Sequence, residues 1–239
     1  MLDLACVCSI ADLENASPHP GRMQGTPDAG DVVEKVLVLV DGTWPDEAQL
    51  RAITKPYLRV FAADGAGHRA LGMGLDIDGI IGDLDSFEPD RLAGVDVPIR
   101  RIDDQSMNDL VKAVRYASRS ARTAHVDVIG VRGGSWGHEV GNLGALVELA
   151  DLRVRFIDPP ACLQLVGADL ELNPPIGSLL TLMPFGVVHD VLLTGTEWAL
   201  DGETLLPSTR GLHNVTKDAS VRITHGAGGH LMVITEEID

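Results

Sequence analysis

Two aspartates two residues apart follow a short apolar run in "GIIGDLDSF", the stretch that contains Asp83 and Asp85. Carboxylate oxygens are ligands that Mg²⁺ prefers, and proteins commonly hold this ion with one or two carboxylates together with substrate phosphates. Carboxylates packed together repel one another, and burying them is costly unless they are protonated or meet a cation. The pair therefore predicts a divalent-metal site that holds a nucleotide.

Further acids follow other apolar runs of the N-terminal half: Asp41 after "KVLVLV", Asp64 after "LRVFAA", and Asp103 with Asp104 after "VPIRRI". If these runs are parallel strands, their carboxyl ends line the ligand crevice of an open α/β sheet. A single Asp after a strand is commonly a turn former. The repeated pattern is what favours a functional crevice.

Glycine-rich stretches lie at the ends of two apolar runs: "ADGAG" ends "LRVFAA", and "VRGGSWGH" ends "HVDVIGV". Gly65, Gly67, Gly133 and Gly134 would let backbone N–H groups approach phosphate, although a plain turn is the commoner reason for such a stretch taken on its own. The sequence contains no Gly-x-x-x-x-Gly-Lys-Ser/Thr, which excludes a P-loop.

Apolar runs alternate with amphipathic stretches from residue 35 to about residue 160. The expected strands cover residues 35–40, 58–63, 79–82, 97–102, 125–131 and 153–157, and the expected helices cover 46–53, 65–74, 88–94, 106–120 and 139–150. Alternation of this kind predicts an α/β domain with an open, Rossmann-like parallel sheet over residues 35–160. The clearest helix is expected to open at Ser106, through a capping-box pair with Asp109.

After the Pro159-Pro160 pair the pattern changes to short apolar runs separated by Gly, Pro, Asn and Asp. These runs are "SLLTLMPFG", "VVHDVLLTG", "SVRITH" and "HLMVIT". They predict a small antiparallel β-sandwich domain over residues 161–239. Residues 1–34 are interpreted as a leader or a short extra element.

Charge and composition limit the partners of the 239-residue chain. Its net charge of −16 argues against a general nucleic-acid surface and against an anionic membrane partner. No apolar stretch approaches the roughly 20 residues that span a bilayer. The start has no Lys or Arg before Arg22, and Cys6, Cys8 and Cys162 form neither a zinc motif nor a disulfide framework, so the cytoplasm is the expected compartment.

Five segments, in order and spacing, resemble the successive signatures of the thiamine pyrophosphokinases. They are "ADGAGHRAL", "DIDGIIGDLDSF", "DDQSMNDLVKAV", "VIGVRGGSWGHEVGNLGAL" and "LTGTEWALDGETLLPSTRGLHN", and the correspondence covers about residues 35 to 235. The resemblance implies an α/β catalytic domain followed by a β-sandwich domain, in a homodimer. It also implies transfer of pyrophosphate from ATP to the hydroxyl of thiamine with Mg²⁺, and release of AMP.

The resemblance implies the roles of individual residues as well. Catalytic roles fall to Asp64, Asp83, Asp85, Asp104, Asp109 and His138, with Asp83 and Asp85 as metal ligands. Nucleotide-binding roles fall to Gly65, Gln105, Asn108, Gly133, Gly134 and Asn142, and Arg132 is added because it could reach the same phosphates from a nearby backbone position. Thiamine-binding roles fall to Trp198, which would stack on the pyrimidine, and to His213 and Asn214.

The chain departs from the family pattern at four positions within these segments. Ser135 stands where the family has Arg, Gly137 where it has Asp, Asn108 where it has Thr, and His213 where it has Ser. A lost Arg removes a fork of phosphate donors, and Trp136 would either cover a nucleotide or fill the gap. Two alternatives therefore stay open: a pyrophosphokinase for another hydroxymethyl heterocycle, such as a pterin-like one, or a non-catalytic nucleotide or thiamine sensor.

Overall fold

The computed structural model describes residues 35–84 and 96–238, which form two compact units divided between Asp158 and Pro159. Asp85, the N-terminal segment 1–34 and the expected helix over 88–94 lie outside the described residues. We call residues 35–158 the α/β unit and residues 159–238 the β unit. Within the described ranges, no helix has the length and apolar character needed to cross a membrane.

The α/β unit contains six strands and four helices among its described residues. They are β1 (Val36–Leu39), α1 (Glu47–Thr54), β2 (Arg59–Ala63), α2 (Gly65–Gly72), β3 (Gly79–Gly82), β4 (Ile99–Arg101), α3 (Asp109–Ala121), β5 (His125–Ile129), α4 (Trp136–Glu148) and β6 (Arg153–Asp158). Their order in the sheet is β4-β3-β2-β1-β5-β6, and every pair is parallel, as the alternating pattern predicts.

The strand order reverses direction at β1, whose two neighbours are β2 and β5. At such a point the loops after the two central strands leave toward opposite faces of the sheet and open a crevice at its carboxyl edge. The loops in question are residues 41–46 after β1 and residues 130–135 after β5. The topology therefore places the expected ligand crevice at the carboxyl edge of the sheet, where these two loops lie.

The two crevice loops touch along their backbones, and glycines make this possible. A methyl group at Gly42 would lie 2.0 Å from the Gly130 carbonyl oxygen, and one at Gly133, whose φ is +98°, would lie 2.1 Å from Thr43 Oγ1. The Thr43 N–H donates to the Arg132 carbonyl at 2.6 Å. Any larger side chain at Gly42 would force the loops apart.

One face of the sheet buries the core that supports these loops. Leu37 and Leu39 of β1 pack with Leu50 of α1 and with Ala66 and Ala70 of α2, all of them fully buried. Burial of a leucine side chain contributes about 1.5–3 kcal/mol. The alternation of β1 thus fixes which residues face α1 and α2 and which face α3.

Two helices begin at residues other than those expected. Helix α3 begins at Asp109 rather than at Ser106, because the Asn108 side chain accepts the Val111 N–H at 3.0 Å while Ser106 donates to Asp104 instead. Helix α4 begins at Trp136, three residues before the expected Glu139, because Ser135 Oγ accepts the His138 N–H at 3.4 Å. In both cases a side-chain oxygen satisfies a backbone donor of the first turn.

The β unit is antiparallel, and no helix occurs in its described part. Its strands are β7 (Ala161–Val166), β8 (Asp169–Leu172), β9 (Leu179–Thr194), β10 (Leu200–Leu205), β11 (Asn214–Val215), β12 (Val221–Thr224) and β13 (Gly228–Glu236). Two runs expected as separate strands form the single 16-residue β9, which continues through Gly186 at φ +91°. The first part of β9 pairs with β11 and β13, and its second part pairs with β10 and β12, so one strand serves both halves of the unit.

Candidate functional site

Three carboxylates meet at the carboxyl edge of the parallel sheet. Asp64 follows β2, Asp83 follows β3 and Asp109 opens α3, and one oxygen from each lies within 4.8 Å of the others. We call these three residues the acid cluster. Asp64 is only 6% exposed. Three hard oxygen donors at this separation suit Mg²⁺.

Local backbone geometry holds Asp64 in the cluster. Its φ of 26° is rare for a residue with a side chain, and its N–H donates to the Ile81 carbonyl at 2.8 Å. A methyl group at Gly82 would lie 2.8 Å from Asp64 Cβ, so the glycine that ends β3 leaves room for the aspartate. Leu84, the residue after Asp83, also has an unusual backbone conformation, with a φ of 65°. Backbone strain of this kind is typical of functional sites.

A buried lysine already neutralises part of the acid cluster. Lys112 is 3% exposed, and its Nζ lies 3.0 Å from Asp109 Oδ1 and 3.2 Å from Asp83 Oδ2. Burial alone would lower the Lys112 pKa, but the hydrogen bonds and charges of Asp109 and Asp83 together outweigh it and raise the pKa above its usual value. Lys112 is not among the residues predicted from the sequence, although its spacing of three residues from Asp109 was a signal.

The other acids expected at this edge lie around the cluster. Asp104 is exposed and is not part of the three-carboxylate group; its side chain accepts hydrogen bonds from Ser106 Oγ and the Ser106 N–H, which hold its pKa below the usual value. Gln105 Nε2 lies 3.5 Å from Asp83 Oδ2. A methyl group at Gly65 would lie 3.0 Å from Asp41 Oδ2, so Asp41 lies beside the start of α2.

In the loop after β5, the Arg132 side chain and the Gly133 N–H each contact a carboxylate. Arg132 Nε lies 2.7 Å from Asp158 Oδ2 at the end of β6, and the arginine side chain is 63% exposed. The Gly133 N–H donates to Glu139 Oε1 at 2.8 Å. Arg132 is therefore oriented by a carboxylate while open to solvent, whereas the Gly133 N–H already has an anionic partner. Neither Asp158 nor Glu139 is among the site residues predicted from the sequence.

Two of the residues that depart from the family pattern, Ser135 and Gly137, lie at the start of α4. Ser135 Oγ caps the helix, and the space around Gly137 holds no other atom closer to an added methyl than Ser135 Oγ at 3.8 Å. Trp136 is 83% exposed, so its indole does not fill a gap within the unit. His138 is also exposed. Neither Ser135 nor Gly137 provides the charged group expected from the family pattern.

The structure brings together two asparagines that the sequence analysis assigned to nucleotide binding. Asn108 precedes α3 and Asn142 lies on α4, and the amide nitrogen Nδ2 of Asn108 lies 3.3 Å from Oδ1 of Asn142. Each side chain therefore contacts the other at the edge where the acid cluster lies.

In the β unit, Asn214 fixes the backbone beside Trp198. Its buried side chain accepts the Trp198 N–H at 3.1 Å and donates to the Trp198 carbonyl at 2.6 Å. The Trp198 side chain is 58% exposed and is therefore not a core residue. His213 is exposed at φ 56°, and its N–H donates to Thr181 Oγ1 at 3.1 Å. Asn214 thus contacts the tryptophan backbone directly and leaves the indole accessible.

Comparisons with known proteins give matches to thiamine pyrophosphokinases. The family model described as "Thiamin pyrophosphokinase, catalytic domain" matches residues 51–157. Thiamine pyrophosphokinase 1 of Oryza sativa subsp. japonica is 26% identical over 166 residues, and the match spans 62% of each chain, which is less than two thirds of the relative's length.

Two solved structures have a similar fold. The thiamine pyrophosphokinase from Bacillus subtilis matches with a TM-score of 0.72 at 17% identity, over 84% of this chain and 98% of that one. The yeast thiamin pyrophosphokinase matches with a TM-score of 0.71 at 16% identity, over 87% of each chain.

Proposed function

We propose that the chain is a divergent thiamine pyrophosphokinase, which transfers pyrophosphate from ATP to the hydroxyl of thiamine; the match to the family's catalytic-domain model and the similarity to a curated relative support this. The products are thiamine pyrophosphate and AMP. The observation that carries the proposal is the acid cluster, in which Asp64, Asp83 and Asp109 converge at the carboxyl edge of a parallel sheet.

The metal in this proposal is Mg²⁺, held by Asp64, Asp83 and Asp109, with Asp85 as a further ligand expected from the sequence. When bound, the ion supplies positive charge that offsets the triphosphate, which a chain of net charge −16 cannot otherwise accept easily. Lys112 keeps Asp83 and Asp109 oriented through its two ion pairs. Positioning and charge neutralisation are the main sources of catalysis in reactions of this class.

In the transfer step the thiamine hydroxyl oxygen forms a bond to the β-phosphorus of ATP. The bond between that phosphorus and the oxygen bridging to the α-phosphorus breaks, AMP leaves and the hydroxyl proton passes to water. In our proposal Arg132, held by Asp158 at 2.7 Å, donates to the phosphates in place of the arginine that Ser135 replaces. Trp198 stacks on the thiamine pyrimidine. We also propose that the protein acts as a cytoplasmic homodimer.

A different class of function has its own supporting observation. The Ser135 hydroxyl is used to cap α4, and Gly137 has no side chain, so two groups of the family pattern are missing. This favours a sensor that binds nucleotide or thiamine without turnover, and it also allows an enzyme with another heterocyclic alcohol as acceptor.

The deciding experiment incubates the protein with Mg²⁺, ATP and thiamine and quantifies AMP and thiamine pyrophosphate by mass spectrometry. We expect equal amounts of both products. A chelator and the Asp83→Asn variant should both abolish product formation. Asp76→Asn, which changes an exposed acid after α2, is the control and should retain it. Nucleotide binding without product would support the sensor. AMP release only with a pterin-like alcohol would identify the other acceptor class, and either result would overturn the proposed reaction.

A further inference from the structure

The side-chain amides of Asn108 and Asn142 belong to a continuous series of three hydrogen bonds. Asn108 Oδ1 accepts the Val111 N–H at 3.0 Å, and Asn108 Nδ2 donates to Asn142 Oδ1 at 3.3 Å. Asn142 Nδ2 in turn donates to the Val131 carbonyl at 2.7 Å. We call this series the amide relay.

Both amide orientations in the relay are fixed by their outer partners. A backbone N–H at Val111 requires an oxygen from Asn108, and a carbonyl at Val131 requires a nitrogen from Asn142. The remaining nitrogen of Asn108 then faces the remaining oxygen of Asn142. A flip of either amide would put like groups together at two places, so the series has one consistent arrangement.

The relay connects the two halves of the candidate site. At one end, Asn108 is the residue immediately before Asp109 of the acid cluster. At the other end, Val131 is the residue immediately before the Arg132-Gly133-Gly134 loop. Three other contacts of that loop lead elsewhere: the Arg132 carbonyl accepts from Thr43, the Arg132 side chain pairs with Asp158 of β6, and the Gly133 N–H donates to Glu139 of α4.

We propose that Asn108 is a positioning residue that sets the distance between the Arg132-Gly133-Gly134 loop and the acid cluster. Its oxygen caps α3 while its nitrogen holds Asn142 against the loop. Threonine or serine in its place would cap the helix equally well. Their hydroxyls are one bond shorter, however, and do not reach Asn142 while capping. The asparagine that departs from the family pattern is therefore what completes the relay.

This proposal rests on the proposed function only in taking the nucleotide to span both halves of the site. The arrangement of the loop is a property of the ligand-free protein and can be measured without any ligand. An asparagine that served only as a helix cap would leave the loop after β5 unaffected when replaced by serine.

The test compares the wild type with Asn108→Ser, Asn142→Ala and the double variant. Hydrogen–deuterium exchange of the ligand-free proteins should show faster exchange over residues 131–138 in each variant. Exchange over residues 109–121 should be unchanged in Asn108→Ser, because the serine retains the cap. Unchanged exchange over 131–138 in Asn108→Ser would overturn the proposal.

Ligand titrations give a second readout on the same variants. Asn108→Ser should weaken Mg·ATP binding by about three- to tenfold, and the double variant should bind no more weakly than Asn142→Ala, because both changes break one series. Binding of Mn²⁺ without nucleotide should stay within about twofold, because the acid cluster itself is intact. Fully additive losses would overturn the relay. A wild type that binds no Mg·ATP would refute the proposed function, while the exchange result would still decide the role of Asn108.

Discussion

The Lys112 ammonium lies 3.0 Å from the Asp109 carboxylate, one helical turn away, and the lysine is almost completely buried. Removing one partner of a buried ion pair leaves the other charge uncompensated. The acid cluster therefore has a resident positive charge that both stabilises the ligand-free protein and repels an incoming cation.

The variant Lys112→Met tests this double role. We expect the ligand-free protein to lose about 3–5 kcal/mol of unfolding free energy, because the carboxylates then repel one another without compensation. Its affinity for Mn²⁺ should rise by about tenfold, because a nearby like charge is gone. Denaturant unfolding and metal titration measure the two effects, and weaker metal binding by the variant would contradict the argument.

The Arg132–Asp158 pair predicts a nucleotide contact. Arg132→Ala should weaken Mg·ATP binding by about 1.5–3 kcal/mol, since hydrogen bonds to charged groups have this magnitude. Asp158→Asn should cause a smaller loss, because it only frees the arginine from its orienting partner. Arg119→Ala, on the exposed last turn of α3, is the matched control and should bind normally. Calorimetric titration with Mg·ATP measures these affinities. Equal affinities in all three variants would show that Arg132 does not contact the nucleotide.

Glu139 places a negative charge against the Gly133 N–H. Glu139→Gln keeps an oxygen acceptor for that N–H and removes the charge, so repulsion of a triphosphate should decrease. We expect Mg·ATP affinity to increase by about two- to fivefold, with a larger effect at low salt than at high salt. If Glu139→Gln binds Mg·ATP with the wild-type affinity at both salt concentrations, Glu139 lies away from the bound phosphates.

Trp198 and Asn214 should separate acceptor binding from nucleotide binding. Trp198→Ala is expected to weaken thiamine binding by about 1–3 kcal/mol, by analogy with aromatic stacking on bases, and to leave Mg·ATP affinity intact. Asn214→Ala should weaken thiamine binding as well, because the Trp198 backbone loses both of its hydrogen bonds to the asparagine. Ile176→Ala, another exposed apolar position of the β unit, serves as the control. Thiamine affinity unaffected by Trp198→Ala would remove the tryptophan from the site.

We expect His125 to lower the free energy of unfolding in mild acid. Burial, and then the positive charge of Arg153, lower its pKa to about 4. Between pH 6.5 and 4 the unfolded histidine therefore binds a proton that the folded one does not, so unfolding becomes easier as the pH falls through this window. Unfolding free energies at pH 7 and pH 5 should differ more in the wild type than in His125→Gln. Parallel pH profiles would show that His125 does not contribute.

The strands of the α/β unit and the position of its crevice follow from local sequence. Apolar runs that alternate with amphipathic stretches predict a parallel sheet, and acids directly after those runs must lie at its carboxyl edge. Asp64 and Asp83 were found in this way. Asp109 was identified by family resemblance, because it opens a helix and follows no strand.

The rest of the site depends on contacts that no local pattern encodes. Lys112 looks like an ordinary helical lysine until its burial beside two acids is known. The start of α3 could not be chosen from sequence, since Ser106 and Asn108 are both good caps and the choice depends on Asp104 engaging Ser106. The contact between Asn108 and Asn142 joins two helices and requires the fold itself.

The backbone contact between Gly42 and Gly130 has a consequence for the order of folding. It joins segments roughly 90 residues apart in sequence, so the chain must lose the entropy of closing a long loop before the contact can stabilise it. The loop after β1 cannot take its final shape until β5 lies beside β1. A nascent chain that has completed α3 already contains all three acids of the cluster, yet it lacks one wall of the crevice until synthesis has passed residue 133.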